Sequence, residues 1–225
     1  MELLIIGCAG FLLTHLGISG SPLRNSLRGA MSEQAYLGMY TLLSFATLGL
    51  MIYGYAGVPH QDYIWLPSTS AYMVTKVLLF IALVTLVTGT LTKNPTQVHG
   101  DAALDNEISG MLKITRHPVQ WGILLFAVGH LIANGDTASV LFFGTLVIVS
   151  LAGMFSMDAR KRQEEDPRWQ QFMQQTSMMP FAAIAAGRLK FSTADINWMG
   201  LVAGIGLYVA VYWLHDLVAG GVSLF

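Results

Sequence analysis

Histidines are the residues of this sequence best suited to chemistry, and three of them, His15, His130 and His215, lie within apolar stretches long enough to cross a membrane. An imidazole in hydrocarbon is costly unless it faces a cavity, a polar partner or a metal, so an intramembrane histidine is a functional hypothesis by default. Neutral imidazole ligates haem iron, and helical bundles often hold cofactors between their helices. The alternative is that each ring only hydrogen-bonds a neighbouring helix.

A second candidate site lies at Arg116 and His117, immediately before an apolar stretch that begins at Pro118. Proline suits the first turn of a helix because the N–H that it lacks would have no partner there. A guanidinium and an imidazole at the mouth of a helix can orient a ligand or hold a proton. We interpret the pair as a polar gate or anchor at the edge of a cofactor site, and we predict catalytic roles for both residues and a cofactor-binding role for Arg116.

The other histidines and the cysteine indicate simpler roles. His60 and His99 lie in polar connections beside acidic residues, where we expect them to be solvated. Cys8 is the single cysteine, so an intramolecular disulfide and a CxxC metal or redox site are excluded. The net charge of -1 gives no indication of nucleic acid as a partner.

The elements that must position these residues are transmembrane helices. The chain is 54% hydrophobic and 11% charged, whereas soluble domains carry about 25% charged residues. A helix needs about 20 apolar residues to cross a bilayer. We therefore predict an all-α polytopic membrane protein surrounded by lipid, a single domain over residues 1–225, with about six spans at 3–19, 36–58, 69–91, 118–134, 137–157 and 197–217.

Basic residues indicate how the spans are oriented. Lys76 lies inside the third span, from which its side chain can extend to the interface. Every other Lys and Arg falls in the first, third or fifth loop: Arg24, Arg28, Lys93, Lys113, Arg116, Arg160, Lys161, Arg162, Arg168, Arg188 and Lys190. Positively charged loops face the cytoplasm, so we predict a bacterial inner-membrane protein with both termini on the periplasmic side. Glu2 replaces the positive charge of a secretory signal, so we expect the first span to be retained.

Depth along straight helices indicates which histidines lie at the same level. At about 1.5 Å per residue, His130 and His215 fall on the periplasmic side of the middle of their spans. His15 falls on the cytoplasmic side, closer in level to His117. Geometry alone therefore favours one pair on each side of the midplane.

Four motifs carry a family resemblance. They are "THLGISGSPLR" at 14–24, "GMLKITRHPVQWG" at 110–122 followed by a histidine at position 130, "TSMMPFAAIAAGR" at 176–188 and "YWLHDL" at 212–217. Together they resemble the NnrU family of bacterial membrane proteins, whose plant and cyanobacterial relatives include carotene isomerases. The similarity covers nearly the whole chain.

The resemblance implies a polytopic protein that binds haem b and, as in the isomerase branch, isomerises a cis double bond of a polyene through redox-dependent histidine ligation. The implied axial ligands are His15 and His130, with His117 and His215 at other family positions. The isomerases carry a cysteine where this chain has Ala127, so a ligand exchange between thiolate and imidazole is not expected here. The bacterial members are associated with denitrification, which implies a nitric-oxide-linked redox role as an alternative. A small hydrophobic or gaseous ligand would enter such a centre from the lipid.

The pattern RHPxxxG at 116–122 also resembles membrane-embedded isoprenylcysteine methyltransferases, which bind S-adenosylmethionine. In that case Arg116 would grip the methionine carboxylate in a bidentate fork, and Glu164 or Glu165 would be the acidic partner. The simpler interpretation of residues 160–172 is an exposed helix with i,i+4 charge pairs, such as Arg160 with Glu164 and Lys161 with Glu165. A third class, a non-catalytic assembly or transport factor, would need neither site.

Overall fold

The computed structural model describes residues 1–218, and every long element in that part of the chain is a helix. Two short 3-10 turns lie at Gly100–Asp105 and Thr193–Asp195. Between residues 1 and 218 there is no β-strand, only an isolated bridge that joins Tyr63 to Asp136. The predicted all-α fold is confirmed.

In chain order the helices are α1 (Glu2–Leu12), which continues into a π-helical turn at Leu13–Ser19, α2 (Leu23–Ala30), α3 (Glu33–Ala56), α4 (Thr69–Thr90), α5 (Met111–Ile114), α6 (Pro118–Ala133), α7 (Thr137–Gln163), α8 (Pro167–Gln175), α9 (Ala182–Ala185) and α10 (Trp198–Val218).

Five helical segments are long and apolar enough to span a membrane, namely Glu2–Ser19, Glu33–Ala56, Thr69–Thr90, Thr137–Gln163 and Trp198–His215. A sixth apolar helix, α6, has 16 residues. Together they match the prediction of about six spans. The orientation of the loops and the inner-membrane location stay predictions.

Two helix boundaries differ by three residues or more from those expected of the hydropathy pattern. α3 begins at Glu33 rather than at position 36, because Ser32 caps it by accepting a hydrogen bond from the Ala35 N–H at 3.2 Å. α7 continues to Gln163 rather than ending at 157. Hydropathy detects only the apolar part of a helix, so it misses a charged last turn that stays helical.

The chain divides into two compact units. The first unit comprises Met1–Lys76 and Ala127–Ser156, and the second comprises Val77–Phe126 and the chain from Met157 onward. α4, α6 and α7 each contribute residues to both units. The assignment of residues 1–225 to a single domain stays a prediction.

In the first unit, α1 packs closely against α3 through glycines. A Cβ atom on Gly7 would lie 2.6 Å from the backbone nitrogen of Met51, and one on Gly54 would lie 2.5 Å from that of Leu4. Leu4 and Met51 are both 0% exposed. Small residues at such contacts let helix backbones approach, which is how helices associate in lipid.

In the second unit, glycines likewise allow close contacts between helices. A Cβ atom on Gly122 of α6 would lie 2.8 Å from Leu86 of α4, and one on Gly204 of α10 would lie 2.8 Å from the Cα atom of Val84. Gly89 is equally close to the ring of Pro118, at 2.7 Å. α4 is thereby fixed against both α6 and α10.

The polar segment after α7 is not the continuous helix over 160–172 that the charge pattern favours. α7 ends at Gln163 and α8 begins at Pro167, because Asp166 caps α8 by accepting the Arg168 N–H at 2.9 Å. The Nζ atom of Lys161 contacts Glu164 at 2.8 Å and Asp101 at 3.3 Å. α8 packs through a small apolar cluster in which Leu112, Trp169 and Phe172 are buried.

We expect Gly54→Ala to lower the free energy of unfolding by about 1–3 kcal/mol, because the added methyl group overpacks the contact with Leu4. Thermal unfolding in detergent, followed by circular dichroism, measures the change. Gly49→Ala in the same helix is the matched control, since a Cβ atom there meets nothing within 4 Å. Equal stability of the two variants would show that the α1–α3 contact is not tight.

Candidate functional site

Arg116 and His117 meet at one carboxylate. In the second unit, the Nε atom of Arg116 donates to Oδ2 of Asp158 at 3.1 Å, and Nε2 of His117 lies 2.8 Å from Oδ1 of the same residue. The side chains are 9%, 0% and 5% exposed for Arg116, His117 and Asp158. The pair predicted at the mouth of α6 is therefore buried, and Asp158 near the end of α7 compensates its charge.

The backbone before α6 is held by the segment that follows α8. The Thr115 hydroxyl donates to the Met178 carbonyl at 2.7 Å, and the Arg116 N–H donates to the Ser177 carbonyl at 2.9 Å. Nη1 of Arg116 reaches the Met173 carbonyl at 3.0 Å and the Thr176 hydroxyl at 3.2 Å. Two of the four family motifs thus contact each other directly.

The charges of this cluster favour a structural role for the three side chains. One ring nitrogen of His117 takes no part in their contacts. Burial lowers the pKa of Arg116 and the Asp158 carboxylate opposes that shift, although a guanidinium stays charged in proteins. Because a carboxylate accepts, Nε2 of His117 is the donor. Nδ1 of His117 is buried and has no partner in the described chain. A neutral His117 therefore holds an unused lone pair at Nδ1.

The methyltransferase alternative needs Arg116 to be accessible. Two of its three donor nitrogens, Nε and Nη1, already bond within the chain. Glu164, one of the two predicted acidic partners, contacts Lys161. These contacts weigh against a bidentate grip on a free carboxylate, and the role of Arg116 in binding a ligand stays a prediction.

His15 lies in the π-helical turn at the end of the first span. Its Nδ1 atom is 2.9 Å from the Phe11 carbonyl oxygen, and its ring contacts the Phe11 and Tyr40 rings at centroid distances of 4.1 and 5.5 Å. It lines a cavity of about 280 Å³ together with Phe11, Tyr40, Thr41, Ser44, Phe45 and Leu48. Because π-helical turns occur frequently at functional sites, this is the first candidate ligand site.

His130 lies on α6 in the same unit as His15. Its ring stacks on Phe143 of α7 with a centroid distance of 4.5 Å and an interplanar angle of 19°. Ala127, three residues before His130, is 0% exposed. The neighbouring Gly129 carbonyl accepts from the Thr75 hydroxyl at 2.9 Å, which ties α4 to α6 here.

The structure thus groups the predicted site residues in two sets. His15 and His130 belong to the first unit, whereas Arg116, His117 and His215 belong to the second. In residues 1–218 no three His, Cys, Asp or Glu side chains converge as a metal cluster. Axial ligation of haem needs only two imidazoles, so the ligand roles of His15, His130 and His215 stay predictions.

Sequence reasoning missed two acids, Asp158 and Asp136. Asp158 ends an uncharged stretch that runs from 137 to 157, and a carboxylate at that depth is itself a signal of a buried partner. Asp136 is 3% exposed and pairs with His60 at 2.9 Å. His60 was expected to be solvated beside Asp62; its side chain is 36% exposed, and the structure adds Asp136 as a buried partner. His99 is exposed, as expected.

Helical spans with polar clusters buried among them define the class of protein, a polytopic helical membrane protein. A family model described as "NnrU protein" matches residues 3–223. The chain therefore belongs to the NnrU family, as the four motifs indicated.

Two curated relatives carry the same printed name, "15-cis-zeta-carotene isomerase, chloroplastic". The protein from Zea mays is 32% identical over 112 residues, and the protein from Arabidopsis thaliana is 30% identical over 117 residues. The matches cover 48% and 50% of this chain and 31% of each relative. The match thus spans about a third of the relatives' length. No solved structure matches the chain.

We expect Asp158→Ala to lower the free energy of unfolding by about 3–5 kcal/mol, because it leaves a buried guanidinium without its counter-charge. The double variant Arg116→Met with Asp158→Leu should recover most of that loss, since apolar residues replace buried ion pairs at little cost. Denaturation in mixed detergent micelles measures all three proteins. Asp105→Asn, in an exposed pair with Arg168, should match the wild type. A double variant as unstable as the single one would contradict the anchoring role.

Proposed function

We propose that this protein is a haem-binding membrane isomerase that acts on a cis double bond of a polyene, in which His15 and His130 would hold the haem iron. The observation that carries the proposal is the hydrogen bond between Nδ1 of His15 and the Phe11 carbonyl, beside an apolar cavity. The substrate class follows the printed name of the relatives.

The hydrogen bond determines which nitrogen of His15 is available. A carbonyl oxygen can only accept, so Nδ1 carries the proton, and in the neutral ring Nε2 carries the lone pair. Metal-ligating histidines are commonly held in this way, with the second nitrogen donating to a carbonyl or carboxylate. His15 therefore fits an iron ligand in its tautomer and in the partner that orients it.

The cavity beside His15 has a mostly apolar lining. Its volume of about 280 Å³ lies just below the range of small-molecule sites, which begins at about 300 Å³, so a larger ligand would need the cavity to open. Phe45 forms one wall and is 70% exposed, and exposed side chains change rotamer freely. Displacement of Phe45 would enlarge the cavity toward the lipid, from which a porphyrin or a polyene would enter.

The chain's own residues would hold the cofactor and exclude water. His15 and His130 would bind the iron, Phe11 and Tyr40 would pack against the bound ring system, and the apolar lining would keep water from the reacting double bond. Haem, when bound, would supply a centre that changes its charge by one electron. Ala127 offers no thiolate beside His130, so the proposed ligands are the imidazoles of His15 and His130.

Visible absorption of the purified protein tests haem binding. Protein from haem-replete cells should show a Soret band, and His15→Ala and His130→Ala should each lower haem content at least tenfold. His99→Asn is the matched control, because His99 is exposed with φ 56°, a conformation that asparagine tolerates. Thermal unfolding of each variant separates ligand loss from misfolding. Colourless wild-type protein from such cells would refute the haem proposal.

Incubation with 15-cis-zeta-carotene in detergent, with the protein reduced and then oxidised, tests the reaction. We expect the 15-cis isomer to convert to the trans isomer in one oxidation state, and His130→Ala to abolish the conversion. Chromatographic separation of the isomers gives the rate. A haem protein that binds nitric oxide but leaves the polyene unchanged would favour the denitrification-linked redox role instead.

A further inference from the structure

In the second unit, the segment at 177–181 lies at the level where α6 enters the membrane. The Phe181 N–H donates to the Ile114 carbonyl at 2.8 Å, just before α6 begins. The indole Nε1 of Trp121 donates to the Met178 carbonyl at 2.9 Å. Trp121 lies in the first turn of this apolar helix, and tryptophan is enriched at membrane interfaces. The segment is therefore held at the boundary between lipid and water.

Two large apolar side chains of this segment are exposed. Met179 is 59% exposed and Phe181 is 58% exposed, although neither belongs to a spanning helix. Phe181 also has a left-handed backbone conformation, with φ 64°, which is costly for a bulky residue. Apolar side chains gain free energy when they leave water, and lipid at the level of Trp121 offers that environment. The exposed pair therefore fits the edge of a lipid layer.

Two arginines of the same unit carry charge that no acid balances directly. Arg162, in the last turn of α7, and Arg188, after α9, are both exposed. Neither forms an ion pair with a carboxylate of residues 1–218. Nη1 of Arg188 donates to the carbonyls of Gln174 and Thr176, which fixes the direction of its side chain. Both guanidinium groups therefore have donors available for an external group.

Both arginines lie near Arg116, whose N–H donates to the Ser177 carbonyl at 2.9 Å. Burial lowers the pKa of Arg116, Asp158 opposes that shift, and the positive charges of Arg162 and Arg188 add to it. Charges affect each other only over short distances where water and salt screen them. The two arginines thus carry their charge beside the segment that exposes apolar side chains.

The acids that follow α7 in the chain leave this positive charge largely uncompensated. Glu164 contacts Lys161 at 2.8 Å, and Asp166 contacts Arg168 at 2.7 Å. Glu165 is exposed, so water screens its charge. An anion from outside the chain would therefore find an attractive field here.

We propose that Arg162 and Arg188 bind the phosphate of an anionic phospholipid whose acyl chains pack against Met179 and Phe181. A guanidinium group presents paired N–H donors that match the oxygens of a phosphate. Basic residues at the ends of membrane helices attract anionic lipids. The two arginines select the headgroup, and the two apolar side chains set the depth at which the lipid is held.

Native mass spectrometry of the full chain in detergent, titrated with phosphatidylglycerol or phosphatidylcholine, tests the inference. Phosphatidylcholine carries the same phosphate with a compensating positive charge, so the wild type should bind it more weakly. Arg162→Gln should lower the affinity for phosphatidylglycerol about fivefold, as expected for one basic residue at an anionic lipid surface. Arg168→Gln is the matched control. It removes the same charge, but its guanidinium already pairs with Asp105 and Asp166, so the affinity should stay unchanged.

A spin label measures the depth of the segment. A nitroxide on Phe181→Cys, in a Cys8→Ala background and in phosphatidylglycerol vesicles, should be more accessible to oxygen than to a water-soluble nickel complex. The same label on Asp105→Cys, whose parent side chain is 64% exposed, should show the opposite preference. Equal accessibilities at the two positions would overturn the placement of Phe181 in lipid.

The lipid titration has three outcomes that would overturn the proposal. One is equal affinity of the wild type for the two lipids, a comparison that needs no variant. Another is an equal loss of affinity in Arg162→Gln and Arg168→Gln. The third is loss of phosphatidylglycerol binding in excess inorganic phosphate, which would identify a site for the free anion. None of these measurements requires haem, so their result is independent of the proposed function.

Discussion

The buried carboxylate of Asp158 is the interaction on which the second unit depends. Charges taken out of water must be compensated nearby, and one side chain here satisfies both Arg116 and His117. Arg116 in turn holds the carbonyl of Met173 and the hydroxyl of Thr176. The start of α6, the end of α7 and the end of α8 are therefore linked through Arg116 and its ion pair with Asp158.

The histidines differ in the partner that orients them, and the partner indicates what each can do. A backbone carbonyl holds Nδ1 of His15, which leaves a neutral ring with a free lone pair suited to a metal. Carboxylates hold His60 and His117, and a carboxylate oxygen can only accept a hydrogen bond from the imidazole ring. The first arrangement suits a ligand, whereas the second suits a proton or a structural charge pair. Three residues of one type thus acquire three roles from their surroundings.

The apolar spans could be predicted from the sequence because the cost of burying polar groups in lipid leaves a strong hydropathy signal. The partners of the polar residues could not. Asp158 lies 42 residues from Arg116, and Asp136 lies 76 residues from His60, so both contacts depend on how the helices pack. Nearness in sequence does not identify the partner of His60. Asp62 is nearer to His60 in the sequence, yet the fold brings Asp136 to it.

The π-helical turn at Leu13–Ser19 changes the direction in which the side chains at the end of the first span point. Each residue advances an α-helix by about 100°, and a π-helical turn contains one residue more. Gly7, which packs on α3, lies in the α-helical part of the span, whereas His15 lies in the π-helical turn. The angle between the two residues around the helix axis therefore differs from that in a continuous α-helix. Gly7 and His15 both contact α3, although they lie in helical turns of different periodicity. A change in the number of residues within the turn would rotate His15 away from Tyr40 while leaving the contact between Gly7 and Met51 intact.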